Sequence, residues 1–129
     1  MTKKYFFLLL VLIPSLSWGQ KAKISFEHQH HNFDTIREQD GKVAHTFRFS
    51  NTGDKHLIIR HVETPCGCTA PRWQRKPIPP GKRGTITITY NPKGRYGHFS
   101  QKIILHTNAT PPCSHVSISG NIVRSKETK

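Results

Sequence analysis

The chain has 129 residues, and its 20 Lys and Arg side chains against 7 Asp and Glu give it a net charge of +13. That length suits one ordinary domain, and the charge favours anionic partners. The few carboxylates are scattered, which argues against a hydrolase that uses a pair of acids. The sequence also lacks a phosphate-binding glycine loop and a serine elbow. These features argue against an enzyme.

The N-terminal residues have the pattern of a secretory signal. Residues 1–4 are basic, residues 5–13 are apolar, and Ser17 and Gly19 are the small residues expected before a cleavage point. The apolar run is shorter than the roughly 20 residues of a transmembrane helix, so we expect no membrane span after cleavage. We therefore predict a periplasmic or secreted protein. Its predicted parts are a signal peptide (1–19), one β-sandwich domain (20–123) and a polar tail (124–129).

Alternation of apolar and polar residues indicates β-strands along the rest of the chain. The clearest case is 85–90, where Ile86, Ile88 and Tyr90 share one face and threonines the other. The segment 55–62, with three consecutive apolar residues, has the pattern of a strand buried on both faces. Together with the turns between them, the segments predict an all-β fold, a single immunoglobulin-like antiparallel β-sandwich of about seven strands. The predicted strands are 24–26, 32–36, 42–50, 55–62, 85–90, 99–107 and 115–123.

Two of the three cysteines lie in a short stretch closed by prolines, Pro65-Cys66-Gly67-Cys68-Thr69-Ala70-Pro71. A long connection rich in Pro, Gly and basic residues follows at 72–84. Its Pro79-Pro80-Gly81 cannot continue strand pairing, because proline has no N–H to donate. We therefore predict one long loop from Pro65 to Gly84, with Trp73 inside it.

Several of these motifs resemble a bacterial family known as domain of unknown function fifteen-seventy-three. The most specific is Cys66-Gly67-Cys68-Thr69; the others are Phe33-Asp34-Thr35-Ile36, the run 45–53, Leu57-Ile58-Ile59, Ile78-Pro79-Pro80-Gly81, the run 86–92 and Ile118-Ser119-Gly120-Asn121. The resemblance implies an immunoglobulin-like domain of the Hydin and major-sperm-protein group. It also implies an exported protein of Bacteroidetes-type bacteria, and it implies no activity. Cys113 lies outside the family pattern.

The order of the loops predicts where Cys113 lies. Successive loops of an up-and-down sandwich alternate between its two ends, so Cys113 is expected on the same rim as Cys66 and Cys68. Three interpretations remain open. Cys113 forms a structural disulfide with Cys66 or Cys68; or copper or zinc is held by thiolates with His61 as a further candidate ligand; or a strained Cys66–Cys68 disulfide exchanges with other thiols. No other cofactor is expected.

The best candidate binding surface is the basic stretch that contains Arg72, Trp73, Arg75 and Lys76. Basic residues beside an aromatic ring suit a partner that offers both charge and a flat surface. We expect an unknown protein or an anionic cell-envelope polymer, while export and dispersed charge argue against nucleic acid. The sequence thus predicts an exported, non-enzymatic binding or structural module. The alternative is a soft-metal-binding or thiol-redox protein that uses Cys66-Gly67-Cys68.

The histidines of the sequence are also candidate ligands. His28, His30 and His31 form a tract near the predicted start of the domain, which we interpret as an exposed edge segment rather than an ion site. His45 falls on the inward face of its strand beside Phe47, where a histidine is typically a boundary residue of the core.

Overall fold

Eight β-strands build the described part of the chain, which is residues 20–124 of a computed structural model. The predicted signal peptide and residues 125–129 lie outside the described residues. Within 20–124 there is no α-helix, only a short 3-10 helix at Glu38–Asp40. No helix in this range is long and apolar enough to cross a membrane. The strands are β1 (Ile24–Phe26), β2 (His30–Arg37), β3 (Val43–Asn51), β4 (Ile59–Glu63), β5 (Thr69–Trp73), β6 (Arg83–Tyr90), β7 (Gly97–Thr107) and β8 (Cys113–Val123).

The strands form two four-stranded sheets that pack face to face. The first sheet has the order β1-β3-β6-β5, and the second has the order β2-β8-β7-β4. This confirms the predicted all-β, immunoglobulin-like sandwich. Two details differ from the prediction: there are eight strands, and β2 runs parallel to β8. The parallel pair arises because the chain leaves the first sheet after β1 and enters the second beside the last strand.

Side chains of alternate residues from both sheets make the core. Ile86, Ile88 and Tyr90 are fully buried, as their alternation predicts, and the Tyr90 ring stacks on Phe99 of the facing sheet at 4.1 Å between centroids. Aromatic stacking of this kind adds to the gain from burial alone. The predicted strand at 55–62 is wrong in its extent and burial. Only Ile59–Glu63 forms β4, at a sheet edge, and the Ile58 side chain is 37% exposed.

Strand β5 was not predicted, and it corrects the predicted path of the chain. Thr69–Trp73 pairs with β6 along the whole strand, with Pro71 opposite Ile88. A proline is tolerated there because β5 is an edge strand, where only one side of the backbone is paired. The predicted loop from Pro65 to Gly84 is therefore two loops, and they lie at opposite ends of the sandwich.

We name these ends by the residues that mark them. At the Asn51 end, the β5–β6 loop meets the end of β3, where Gly81 N donates a 2.8 Å hydrogen bond to Asn51 O. At the cysteine end, the β6–β7 loop meets the β4–β5 turn, where Asn91 N donates a 2.8 Å hydrogen bond to Cys68 O. The extra strand therefore reverses the end predicted for every later loop. The loop before Cys113 lies at the Asn51 end.

The turn after β3 is hydrogen-bonded to the N-terminal segment of the domain. Asp54 N and Thr52 N donate to the carbonyls of Lys21 and Lys23 at 2.9 and 3.0 Å. Gly53 lies beneath this segment, and a Cβ there would overlap the Lys21 carbonyl oxygen and lie 2.7 Å from Lys23 N. Glycine is therefore required by the close approach of two backbones.

We expect Gly53→Ala to lower the free energy of unfolding by about 1–3 kcal/mol, because the added methyl group forces the two backbone segments apart. Urea unfolding followed by circular dichroism measures this. Gly67→Ala is the matched control, since a Cβ at Gly67 meets no heavy atom within 4 Å. Equal stability of the two variants would contradict the role given to Gly53.

Candidate functional site

Cys66 and Cys68 form a disulfide across Gly67, with 5.3 Å between their Cα atoms. The turn that holds them is tied to its surroundings by backbone hydrogen bonds from Thr69 N to Cys66 O at 3.3 Å and from Asn91 N to Cys68 O at 2.8 Å. The buried Thr69 places its hydroxyl 3.9 and 3.7 Å from the two sulfurs. The threonine of the Cys-Gly-Cys-Thr motif thus contacts both members of the bridge and begins β5.

Cys113 is an exposed free cysteine, so the predicted disulfide from Cys113 to Cys66 or Cys68 is wrong. Cys66 Sγ lies 3.6 Å from Gln101 Oε1 on β7, whereas Cys113 is paired with His106, five residues further along β7. At about 3.4 Å per residue, these two points of the strand are separated by roughly 17 Å. The cause of the error is β5, which reverses the ends of the later loops.

The structure does not bring together Cys66, Cys68, Cys113 and His61, the residues of the predicted metal site, because the cysteine turn and Cys113 lie at distant points along β7. Two of the sulfurs of that site are joined to each other, whereas a metal requires a thiolate. The other two candidates, Cys113 and His61, are both paired with His106, one from β8 and the other from β4, so they lie two strands apart. Within residues 20–124, no three His, Cys, Asp or Glu side chains are already arranged around a metal position.

Side chains alternate between the two faces of β5, so the four predicted binding residues do not point in one direction. Trp73 points inward and packs against the core. The Arg75 guanidinium lies over the Trp73 ring, 3.9 Å from its centroid. Arg72, one residue earlier, points outward opposite Thr87. Lys76 is exposed beyond the end of the strand. The cysteine turn and the Arg75–Trp73 pair thus lie at opposite ends of β5, and the four predicted binding residues do not share one surface.

The structure instead forms a basic face, which we define as the outward side chains of β3, β6 and β5. Three arginines lie on it, one from each strand, and all three are exposed. None of its members is acidic, and Thr46 and Thr87 at its centre are joined by a 2.9 Å hydrogen bond between their hydroxyls. The basic face consists of Ala44, Thr46, Arg48, Ser50, Arg83, Thr85, Thr87, Thr89, Ala70 and Arg72.

A groove of about 360 Å³ opens at the Asn51 side of the basic face. Arg48 and Arg83 line it together with Gln74 and Thr85. Arg48 is not among the predicted binding residues. The signal that identifies Arg48 is its place between Phe47 and Phe49, because two buried neighbours in a strand require the residue between them to face outward.

The comparisons with known proteins agree with this fold. The sequence model of one family matches residues 24–122, which extend from β1 to β8, and its description is "Protein of unknown function (DUF1573)". The chain belongs to the DUF1573 family. No curated protein matches the sequence.

Solved structures similar to this DUF1573 domain share its fold at low sequence identity. A protein of unknown function from Porphyromonas gingivalis W83 matches with a TM-score of 0.70 and 16% identity, over 85% of this chain and 51% of that one. The chain therefore spans about half the length of that protein. PapD-like domain 7 of human CEP192 matches at 0.64 with 11% identity, over 82% and 89% of the two chains. WR4, a C. elegans MSP family member, matches at 0.55 with 10% identity, over 78% and 97%.

In this DUF1573 domain, a pair of histidines joins the two sheets near their β1–β2 side. His31 of β2 stacks on His45 of β3 with 3.7 Å between ring centroids, and Phe33 and Phe47 pack edge-on against the pair. Burial lowers the pKa of His31 below 6.5, as does the nearby His30, while Asp34 opposes the shift. Burial is also the largest cause of the lowered pKa of His45, and the nearby His31 and His28 lower it further. The interpretation of His45 as a boundary residue is confirmed, whereas His31 is less exposed than the tract was expected to be.

The histidine pair predicts a loss of stability in mild acid. Well above pH 6.5 both imidazoles are neutral in the folded and the unfolded chain, so this contribution to stability is complete. As the pH falls below 6.5, the unfolded chain takes up protons first, and the free energy of unfolding declines until the folded histidines are protonated as well. We expect the melting temperature to fall between about pH 7.5 and pH 5.5.

His31→Phe and His45→Phe should each reduce that fall, because a phenylalanine keeps the ring stack and cannot be protonated. The exposed His98 is the control, and His98→Asn should retain the full dependence. An unchanged pH dependence in both phenylalanine variants would contradict the assignment to this pair.

The bonding of the cysteines predicts one alkylated thiol per chain in the native protein. The sequence has three cysteines, and Cys113 is the one that the structure leaves free and exposed. Mass spectrometry after alkylation should show one label before reduction, three after it, and none before reduction in Cys113→Ser. Labelling of Cys66 or Cys68 without reductant would contradict the disulfide.

Proposed function

We propose that this protein is an exported, non-enzymatic binding module whose partner is an anionic polymer of the cell envelope. The observation that carries the proposal is the basic face, on which Arg48, Arg72 and Arg83 project from three neighbouring strands without a carboxylate among them. Glu27, which follows β1 and lies beside Arg48, offsets one of these charges. The remaining positive charge attracts anions and raises their local concentration.

The spacing of the arginines suits a chain of repeated charges. Strands are about 4.8 Å apart and β6 lies between β3 and β5, while Arg48 is opposite Thr85 and Arg72 is opposite Thr87, two residues further along β6. The backbones of Arg48 and Arg72 are therefore about 12 Å apart. Arginine binds carboxylate, phosphate and sulfate groups with two parallel hydrogen bonds. The threonine hydroxyls between the arginines offer further hydrogen bonds to the hydroxyl groups of a sugar.

The Arg75–Trp73 pair extends the positive surface beyond the end of β5. The guanidinium is held 3.9 Å from the indole centroid, while Arg75 itself remains exposed. A cation held on an aromatic ring has already lost part of its rotamer freedom, so it loses less on binding. Together with Lys76, this pair gives the polymer a second point of contact.

Two features support export. The first 19 residues have the charge, apolar run and small residues of a cleaved signal, and the Cys66–Cys68 disulfide fits an oxidising compartment such as the periplasm. Envelope polymers with carboxylate, phosphate or sulfate groups are anionic partners that such a location supplies.

The test compares binding to dextran sulfate and to uncharged dextran. We expect the purified protein to bind dextran sulfate and not dextran, with an affinity that falls as salt is raised. Arg48→Ala, Arg72→Ala and Arg83→Ala combined in one variant should weaken binding about tenfold or more, since each exposed charge contact contributes up to about 1 kcal/mol.

The matched control removes three charges elsewhere. Lys42, Lys93 and Lys102 are exposed and lie outside the basic face, so their combined change to alanine keeps the net charge equal to that of the arginine variant. We expect it to weaken binding less than threefold. An equal loss in the two variants would show that net charge alone, and not this face, attracts the polymer.

A further inference from the structure

A second cluster of reactive side chains lies on the outward face of the second sheet. His106 of β7 is paired in register with Cys113 of β8 on one side and with His61 of β4 on the other. His115 follows Cys113 by two residues, so it shares the same face. Glu63 also projects from β4 toward His106. Three neighbouring strands thus supply a thiol, three imidazoles and a carboxylate.

We propose that Cys113, His106 and His115 form a site for a borderline-soft divalent cation of the zinc class. Cys113 Sγ lies 3.5 Å from His106 Nδ1. In a tetrahedral zinc site with a Zn–S distance of about 2.3 Å and a Zn–N distance of about 2.0–2.1 Å, the sulfur and nitrogen are about 3.5 Å apart. The two side chains therefore have the separation of two ligands before any cation arrives.

The second nitrogen of His106 has the partner that a metal-binding histidine needs. Nε2 lies 3.8 Å from Glu63 Oε2, on the side of the ring away from Cys113. This separation is an ion-pair distance rather than a hydrogen bond. When the Glu63 side chain turns to close it, the carboxylate holds the proton on Nε2 and leaves Nδ1 free to bind a metal, as in carboxylate–histidine–zinc arrangements. Glu63 is thus a positioning residue and not a ligand.

The third ligand follows from the register of β7 and β8. His115 is opposite Ile104, so it is diagonal to His106 and two residues from Cys113 on the same strand. Two ligands at alternate positions of one strand and a third on its neighbour can converge, because the distances between their Cβ atoms are about 5–8 Å. His115 is exposed and only its side chain has to turn. The fourth position faces solvent.

His61 stands on the other side of His106. Its ring stacks on that of His106 at 5.9 Å between centroids, but it belongs to β4, two strands away from Cys113. A cation beside Cys113 is on the far side of the His106 ring from His61. We therefore assign His61 a packing contact and use it as the control.

Zinc binding exchanges the Cys113 thiol proton for the metal, so each ion bound releases one proton and affinity rises with pH. The test titrates Zn²⁺ by calorimetry and Co²⁺ by absorption, because cobalt bound to a thiolate gives a charge-transfer band in the near ultraviolet. We expect one ion per chain and a band that Cys113→Ser abolishes. The double variant Cys66→Ser with Cys68→Ser should keep both, since it leaves Cys113 as the single thiol.

The other variants separate the roles. We expect His106→Ala and His115→Ala each to weaken Zn²⁺ binding at least tenfold. Glu63→Gln should weaken it about tenfold, because the carboxylate that orients His106 is lost, and His61→Ala should change it less than twofold. Circular dichroism of each variant shows whether it has folded. No binding by the folded wild-type protein, or binding without the cobalt–thiolate band, would overturn the site. A loss in His61→Ala with none in His115→Ala would overturn the choice of third ligand.

Discussion

The carboxamide of Asn51 is the polar interaction on which the Asn51 end of the sandwich depends. The side chain is fully buried, and each of its hydrogen-bonding positions is used. Nδ2 donates to Lys55 O at 2.7 Å and to Ile78 O at 2.9 Å, while Oδ1 accepts from Gly53 N at 3.0 Å and from Lys23 N at 3.3 Å. One amide thus joins the N-terminal segment, the β3–β4 turn and the β5–β6 loop. Losing such an amide leaves several buried backbone groups unpaired, each at a cost of about 1–3 kcal/mol.

That end of the sandwich positions both proposed sites. The carbonyl of Ile78 accepts a hydrogen bond from Asn51, and Ile78 also forms two backbone hydrogen bonds with Leu57. These bonds fix the loop before Arg83 at the edge of the basic face. On the second sheet, Asn108 Oδ1 accepts from Ile58 N at 2.8 Å and Asn108 Nδ2 donates to His56 O at 2.8 Å. These bonds hold the start of β4 against the β7–β8 loop. The register that brings His61, His106 and Cys113 into one row is set there.

The sequence predicts the strands whose two faces differ in polarity and fails where that difference is small. In β6, fully buried isoleucines alternate with threonines, and the strand and its inward face follow from that pattern. In β5, a proline at the centre and an arginine near the end remove the usual strand pattern, so local preference does not predict a strand there. The strand is stabilised instead by its pairing with β6. Because each strand moves the chain to the other end of the sandwich, one missed strand reverses the predicted position of Cys113. The cysteine–histidine row depends on cross-strand register, which no single segment contains.

The sandwich keeps the two proposed sites electrically independent. The basic face is on the outward side of the first sheet and the cysteine–histidine cluster is on the outward side of the second. The sheets are about 10 Å apart, and outward side chains on both add to that separation. Charges in solution are largely screened beyond about 8 Å at physiological ionic strength. A dication beside arginines would be repelled, and an anionic polymer would compete for it. On opposite faces, neither ligand changes the binding of the other through the solvent, so one domain of this size can hold both at the same time.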